Sequence, residues 1–571
     1  MLYKIADKYK KFTIKPHNNN LQISWHYYMI KPQDISSAFE TKKAERKGYG
    51  VVKWGKICLD KNFIRKNPVD PRLFGGFIEH LGDIVYNGIY DPSHPDADRD
   101  GFRQDVINLV RELKFSGIRY PGGNFVCPYR WEDTVGPVQE RPVRLDLAWR
   151  QTEPNTVGLA GFEKWVKAVG SELIMTVNLS TRGALDAANL VEYCNHPQGS
   201  FYSDLRREHG HEEPYRIRLW CMGNEVDGAW NLGMKKADVY AWDAREAAKA
   251  VKRVDNSLEL IAVGSSGTQL DTYLEWDRTV LETVYEEYDY ISLHRYMGMK
   301  DIDAPDSYDR KDTGDYLELA ERFERNIQDV IAACDYVKGR KHSQKTMYIS
   351  ADEYNVIDID GEDEEGSGKP QIPWQIGPAG SQRGMTMKST LLFGLTMIKL
   401  FKYSHRVKIA CQSFPINSGG NGLILCEKNG KAWVNGSYYI FRHCSLYGRG
   451  NVMEQEAQCS RYDTASFKDA GLMDSVCVYH EESGELDIFV VNKSAQELEI
   501  SVQTACFGAL TALEHLTVEA GHIMDRNSAE ERDKIREYSK QDIQVERERI
   551  KCILTGYSWN VLRVRERKEI V

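Results

Sequence analysis

Residues 215–225 read YRIRLWCMGNE, and residues 346–355 read TMYISADEYN. Each is a short apolar run that ends in amide and carboxylate side chains. A carboxylate placed just past a buried strand is costly unless it faces a cleft or a partner. Two runs built this way predict two strand ends that open onto one polar mouth.

Six further runs have the same form: LFGGFIEH from Leu73, GIRYPGG from Gly117, ELIMTVNL from Glu172, LELIAVGSS from Leu258, DYISLHRY from Asp289 and KIACQSF from Lys408. Helix-period segments lie between them. Ala320, Phe323, Ile327, Val330, Ile331 and Cys334 make one apolar stripe, stopped by Gly339; Val239, Tyr240, Ala244, Ala247, Val251 and Val254 make another. Eight apolar strands alternating with helices predict parallel βαβ units. A closed barrel and an open doubly wound sheet both satisfy that pattern, so the polar residues decide. Glu79, Arg119 to Asn124, Asn178, Asn224–Glu225, Ser265, His294 with Tyr296, Glu353 and Gln412 all fall at C-terminal strand ends. Many strands converging on one mouth describe a (β/α)8 TIM barrel. An open sheet would use only the strands at a switch point.

From about Gly422 the texture changes to short alternating segments with turns, as in VCVYH, EESGE and LDIFVVN. These predict an accessory C-terminal antiparallel β-sandwich. The expected organisation is an extension of unassigned role over 1–55, a strand joining the sandwich over 56–72, the α/β catalytic barrel over 73–418 and the sandwich over 419–571. The run DIDGEDEEGSG at 358–368 reads as a solvated loop.

A length of 571 residues calls for more than one domain, and a net charge of −9 argues against nucleic-acid and anionic-membrane partners. Twelve scattered cysteines without a C-x-x-C pair read as free thiols of a reducing compartment. The N-terminal MLYKIADKYKKFTIK lacks the apolar core of a signal peptide. The run Leu391–Phe401 is interrupted by Lys399 and is too short to span a bilayer. A cytoplasmic protein is expected. His209-Gly210-His211-Glu212 has no partner at a ligand spacing, and the acidic run 358–365 departs from the EF-hand order. No metal and no cofactor are expected.

Glu225 and Glu353 form the strongest constellation. Either alone reads more readily as a strand-end salt bridge. Together, with Asn224 and a polar ring around them, they fit glycoside cleavage, in which one carboxyl protonates the leaving oxygen and the other attacks the anomeric carbon. His294 and Tyr296 read as hydrogen-bonding groups beside the pair, or His294 as a core histidine. Arg119 reads as a group that could hold a carboxylate ionised, or as a barrel-end salt bridge. Gly122 and Gly123 would let backbone approach closely.

From about residue 56 onward the chain resembles the α-L-arabinofuranosidases of glycoside hydrolase family 51. The motifs RLFGGFIEHLG, IRYPGGNF, WED, VNLSTRG, WCMGNEVDGAW, ISLHRY and DEYNV carry the likeness, in that order. The resemblance implies a (β/α)8 barrel with a β-sandwich and a retaining, metal-independent, exo-acting hydrolase of terminal α-L-arabinofuranosyl residues. It implies Glu225 as acid/base and Glu353 as nucleophile. Glu79, Asn124, Asn224 and Gln412 would bind the furanose hydroxyls, and Trp149 would line the mouth. Arg119 and Tyr296 would orient Glu353, with His294 supporting the acid/base. Arabinose-containing oligosaccharides and a homo-oligomer complete the expectation. The alternatives are another retaining glycosidase of this architecture (an endo-glucanase or xylosidase) and a non-catalytic carbohydrate-binding protein. Two departures stand out: Ile357 replaces a frequent tryptophan, and Ser180 replaces the usual glycine before TRG.

Overall fold

The computed structural model describes residues 53–298, 312–358, 373–380 and 382–567. The N-terminal extension before Lys53 and the acidic loop after Asp358 therefore lie outside the described residues.

Strand β1 (Lys53–Pro68) belongs to a second layer, taken up below. The eight runs read from the sequence are the strands of a closed parallel barrel: β2 (Gly75–Phe77), β3 (Gly117–Tyr120), β4 (Glu172–Thr176), β5 (Leu219–Cys221), β6 (Glu259–Ala262), β7 (Tyr290–Met297), β8 (Tyr348–Val356) and β9 (Val407–Ser413). They pair in chain order, and β9 closes on β2. The runs are continuous rather than alternating because a parallel strand here is covered on both faces. In β8 every residue from Ile349 to Val356 is buried.

The covering ring is α1 (Gln104–Leu113), α2 (Leu159–Val169), α3 (Ala184–Asn195) with the short α4 (Phe201–Glu208), α5 (Ala237–Val254), α6 (Glu275–Val284), α7 (Thr313–Leu317) leading into α8 (Leu319–Lys341), α9 (Met387–Lys402) and α10 (Gly436–Tyr447). Three expectations need correction. Helix α8 runs through the exposed Gly339 and ends in the left-handed cap of His342 (φ 53°), after a basic last turn that suits the helix dipole. Val239 is off the α5 stripe and exposed. Helix α10 follows β9 and completes the ring, so the barrel does not end at 418. It was hidden because it is buried against both the barrel and the second layer, which leaves no clean polar face to give a helical period.

The second layer is one ten-stranded sheet formed by β1 with β10 (Asn451–Cys459), β11 (Met473–His480), β12 (Glu485–Asn492), β13 (Leu498–Ala505), β14 (Leu510–Ala520), β15 (Ile535–Lys540), β16 (Gln544–Glu546), β17 (Arg549–Leu554) and β18 (Ser558–Glu566). Its order is β15-β14-β18-β12-β11-β10-β1-β13-β17-β16, antiparallel except where β1 meets β13. The sheet folds over on itself. Ile57, Ile500 and Cys552 from one half share a core with Leu486, Ile488 and Leu562 from the other.

Alternation along β11 and β12 joins the two layers. Cys477, Tyr479, Ile488 and Val490 face the sandwich core, whereas Val476, Val478, Phe489 and Val491 face the barrel helices. Helix α9 is the joint, with Phe401 stacked on Phe489 at 5.3 Å. At Gly394 a Cβ would come within 2.8 Å of the Trp559 ring, so only glycine lets helix and indole approach this closely. The same helix buries Lys399, whose Nζ lies 2.6 Å from Glu321, 2.5 Å from Glu324 and 2.9 Å from Asp474. Burial alone would raise the Asp474 carboxyl, but Lys399 and Lys402 hold it well below its ordinary value.

Removing one partner of a buried ion cluster leaves charge without compensation. Lys399→Met is therefore expected to lower stability by about 3 kcal/mol, read as a lower denaturant midpoint at unchanged slope. A midpoint equal to that of the parent would show that the joint does not rest on this lysine.

Candidate active site

Strand β8 carries the centre of the site, and it is not regular. Against β7 its register runs from Ser350↔Ser292 to Glu353↔His294, and against β9 from Ala351↔Ala410 to Tyr354↔Gln412. On both sides β8 spends three residues where its neighbour spends two. Strict alternation would send Asp352 and Glu353 to opposite faces. The irregularity re-aims them, and both side chains reach Arg119 and His294.

Arg119, on β3, is buried beneath them. Its Nη1 donates to Glu353 Oε1 at 2.7 Å, its Nη2 donates to Asn224 Oδ1 at 2.7 Å, and its Nε lies 3.5 Å from Asp352 Oδ2. The guanidinium also sits 4.6 Å from the centre of the Phe77 ring. The Tyr296 hydroxyl donates to the other oxygen of Glu353 at 2.9 Å. Burial and the charge of Glu353 hold this phenol well above its ordinary value, so it remains a donor. Burial raises the Glu353 carboxyl above its ordinary value, while the charges of His294 and Arg119 pull it down.

Glu225 follows β5 in the left-handed region, with φ 43°. An L-residue adopts this conformation rarely. The Gly228 N–H and Asn231 Nδ2, both 2.9 Å from the Glu225 carbonyl, hold it there. Its Oε1 lies 2.9 Å from His294 Nδ1, and its Oε2 accepts from Trp230 Nε1 at 2.7 Å. His294 Nδ1 is also 3.7 Å from Glu353 Oε2. Burial works against a charge on His294, but Glu353, Asp352 and Glu225 outweigh it and raise the imidazole to about 10.

Glu79 closes the site from the end of β2. Its Oε1 accepts from the Phe125 N–H at 2.8 Å and from Trp149 Nε1 at 3.1 Å. A Cβ on Gly123 would fall 2.6 Å from Glu79 Oε2, which is why the chain after β3 needs glycine there. Burial, with Glu353 nearby, raises the Glu79 carboxyl to about 8. Trp149 is half-buried, its turn held by Asp146 accepting from the Ala148 and Trp149 N–H groups. Asn224 Nδ2 donates to Asn124 Oδ1 at 3.2 Å. Gln412 is fully buried, and neither end of its amide has a protein partner.

Hydrogen bonds and ion pairs thus link Arg119, Asn124, Asn224, Glu225, His294, Tyr296 and Glu353, Glu79 and Trp149 bond to each other beside them, and Gln412 pairs in register with Tyr354. Ser265 and Asn178 do other work. Ser265 is tied to the buried Asp277 of α6, and Asn178 closes a turn through the N–H groups of Ser180 and Thr181. Asp352 and Trp230 are contributors that the sequence reading gave no role. Asp358 is not solvated: its side chain is buried, accepts from Thr386 and lies 3.6 Å from Arg526. Ile357 is half-buried and donates its N–H to Met297. Trp374 pairs with the backbone of Arg150, next to Trp149, and is 40% exposed.

Glu225, His294 and Glu353 bring one ligand-type atom each within 4.8 Å of one another, a spacing a divalent cation could span. The donor set does not suit one. Arg119 and Tyr296 already donate to both oxygens of Glu353, and an imidazolium has no free lone pair. What the arrangement offers instead is two carboxyl groups with oxygens within 4.8 Å of one another, bridged by one imidazole.

Two family models match the chain: an α-L-arabinofuranosidase 1 domain over residues 109–314 and an α-L-arabinofuranosidase C-terminal domain over 352–558. The chain is 43% identical, over 89% of its length and 98% of the relative's, to a protein of Halalkalibacterium halodurans named intracellular exo-α-(1→5)-L-arabinofuranosidase. It is 42% identical to one of Bacillus subtilis with the same name and the number 1, covering 90% of this chain and 100% of the relative. Among solved structures it resembles a family 51 α-L-arabinofuranosidase from Bifidobacterium longum, with a TM-score of 0.82 and 32% identity over 90% of this chain and 100% of that one.

The raised carboxyl of Glu79 has a consequence for stability. Below about pH 4.5 the folded and unfolded chains both hold its proton; between there and about 8 only the folded chain does. Stability should fall as pH rises through that window, by up to about 1.4 kcal/mol per unit for this one group. Glu79→Gln is expected to remove that share of the slope, as measured by denaturant midpoints across the window. Parallel profiles for parent and variant would mean that Glu79 is ionised in the folded protein.

Proposed function

This chain belongs to the α-L-arabinofuranosidases of glycoside hydrolase family 51, and we propose that it releases terminal α-L-arabinofuranosyl residues from arabinose-containing oligosaccharides with retention of configuration. The observation that carries the reading is the pair Glu225 and Glu353, whose carboxylate oxygens approach within 4.8 Å across His294. Retaining glycosidases hold their carboxyls about 5–5.5 Å apart, whereas inverting ones leave room for a water between them.

In the first step a Glu353 oxygen attacks the anomeric carbon while Glu225 gives its proton to the leaving oxygen. A glycosyl–Glu353 ester and a free alcohol result. In the second step Glu225, now ionised, takes a proton from water, whose oxygen attacks the same carbon and releases arabinose. Two cations, Arg119 and His294, face Asp352 and Glu353, so the cluster is neutral when the proton sits on Glu225. His294, 2.9 Å from Glu225 Oε1, offsets the charge that appears when the proton leaves. Trp230 fixes the second oxygen. Glu79, Asn124, Asn224 and Gln412 would hold the furanose hydroxyls, with Trp149 forming the adjacent wall; the unpaired Gln412 amide is satisfied by such a ligand.

The (1→5) linkage in the relatives' names makes α-(1→5)-linked arabino-oligosaccharides the first substrates to assay, and the word intracellular there favours a cytoplasmic site of action. Among the described residues no helix is long and apolar enough to cross a membrane. A homo-oligomer is part of the same proposal: Val143, Leu145 and Leu147 expose apolar side chains on and beside the hairpin Arg144–Asp146/Gln151–Glu153.

The distinct roles of the two carboxyls give the test. Glu353→Ala should abolish turnover on every aryl glycoside. Glu225→Ala should lose about 10²–10⁴-fold on a poor leaving group and far less of the first step on an activated one, which needs no proton. Azide should then accelerate the second step and give an azide product of retained configuration. Equal losses on both leaving groups would remove Glu225 from the acid role, and activity on an aryl glucoside or xyloside in preference to the arabinofuranoside would replace the substrate class.

A further inference from the structure

A second cluster lies in the folded sheet rather than in the barrel. His515 on β14 and Cys552 on β17 are both buried, and Asp542, between β15 and β16, is exposed. Strands β14 and β17 are not neighbours. Each is second from an opposite end of the ten-stranded sheet, and the fold-over brings them face to face. Cys552 Sγ lies 3.5 Å from His515 Nδ1 and 3.8 Å from Asp542 Oδ1, and those two atoms are 2.8 Å apart.

The far side of the imidazole settles which nitrogen faces the cluster. His515 Nε2 lies 3.0 Å from Asn560 Oδ1. The Asn560 amide nitrogen is committed to Ser558, so its oxygen faces the ring and can only accept. The ring proton therefore sits on Nε2, and Nδ1 faces the carboxylate and the thiol; at 2.8 Å it shares a proton with Asp542 Oδ1, which a cation would displace. A ring whose outer N–H is fixed by a side-chain oxygen is how metal-ligating histidines are oriented. Tetrahedral zinc, with bonds near 2.0 Å to nitrogen and oxygen and near 2.3 Å to sulfur, needs ligand atoms roughly 3.3–3.6 Å apart. The sulfur–nitrogen edge matches, the sulfur–oxygen edge would close by about 0.2 Å, and the nitrogen–oxygen edge would open by about half an ångström.

We propose that His515 Nδ1, Cys552 Sγ and Asp542 Oδ1 bind a zinc-like divalent cation that ties the two free ends of the folded sheet together. Binding forms three coordination bonds and releases two protons, one from the Cys552 thiol and one shared between His515 Nδ1 and Asp542 Oδ1. Burial pushes that thiol up to about 12, so in the absence of a cation it is neutral. Asp542, at the surface, gives the ion its entry and leaves the fourth position to water. The fit is softest for an ion preferring oxygen alone, because sulfur and imidazole supply two of the three ligands.

The test uses the full-length protein after chelator dialysis, titrated with Zn2+ alone and, in parallel, with Co2+ as a spectroscopic probe. The expected results are one zinc per chain, a cobalt–thiolate charge-transfer absorption, and a melting temperature raised by a few degrees on adding zinc. Cys552→Ser should lose the absorption and the thermal shift. Asp542→Asn, an exposed change that leaves the fold intact, should weaken zinc by about tenfold or more. Glu225→Gln should bind zinc as the parent does. No thiolate absorption in the parent, or absorption that survives in Cys552→Ser, would overturn the proposal. So would zinc lost from Glu225→Gln, which would assign the ion to the carboxylate pair in the barrel. A parent that binds no zinc but holds His515 doubly protonated by NMR would reduce the cluster to an ion pair.

Discussion

The Arg119 guanidinium is the constraint on which the rest of the site depends. It is buried at the end of β3, stacked against Phe77, and its three nitrogens face Glu353, Asn224 and Asp352 from three directions. A buried guanidinium cannot shed its proton, so carboxylates must come to it. The irregularity in β8 turns two consecutive side chains inward to meet that charge. Asn224, held by Arg119, fixes the turn that carries Glu225, and through Asn124 it fixes the chain that folds over Glu79. A single cation thereby sets the relative positions of all three carboxyl groups around the mouth.

His294 divides this network into halves with different chemistry. Glu353 has donors on both oxygens, as suits a carboxylate that only accepts. Glu225 has one oxygen toward the imidazole and one toward the exposed Trp230 indole. In the proposed mechanism this carboxyl, beside the exposed indole, is the one that passes a proton to the leaving group and recovers one from water. The carboxylate beneath, held by Arg119 and Tyr296, is the proposed nucleophile.

Much of this was legible in the sequence, for reasons that are physical. Parallel barrel strands are buried on both faces, so all eight appeared as apolar runs, and their polar C-terminal residues announced the mouth. The glycines after Tyr120 were readable because a close backbone approach excludes every other residue. The parts that were not legible depend on contacts, near and far in sequence, that apolar periodicity does not report. Asp352 lies on the wrong face of an ideal strand and reaches Arg119 only through the irregular register. Trp230 reaches Glu225 only because the Asp227–Gly228 turn folds back on itself, tied to Ser266. Ser265 and Asn178 looked like mouth residues by position, yet their side chains serve nearby backbone and the helix Asp277. Helix α10 had no polar face to betray it. Asp358, first residue of a run that reads as solvated, is drawn into the interior by Thr386 at the start of α9 and by Arg526 between β14 and β15.

The central claim is that this geometry makes Glu353 the nucleophile. An aryl arabinofuranoside carrying fluorine at C2 would withdraw electrons from the transition states of both steps, and a good leaving group would restore only the first. The glycosyl-enzyme should then accumulate, and mass spectrometry of its peptides is the direct measurement. The account predicts one fluoro-arabinofuranosyl group per chain, attached to the peptide bearing Glu353. Attachment at Glu225, or no adduct together with a product of inverted configuration, would contradict it.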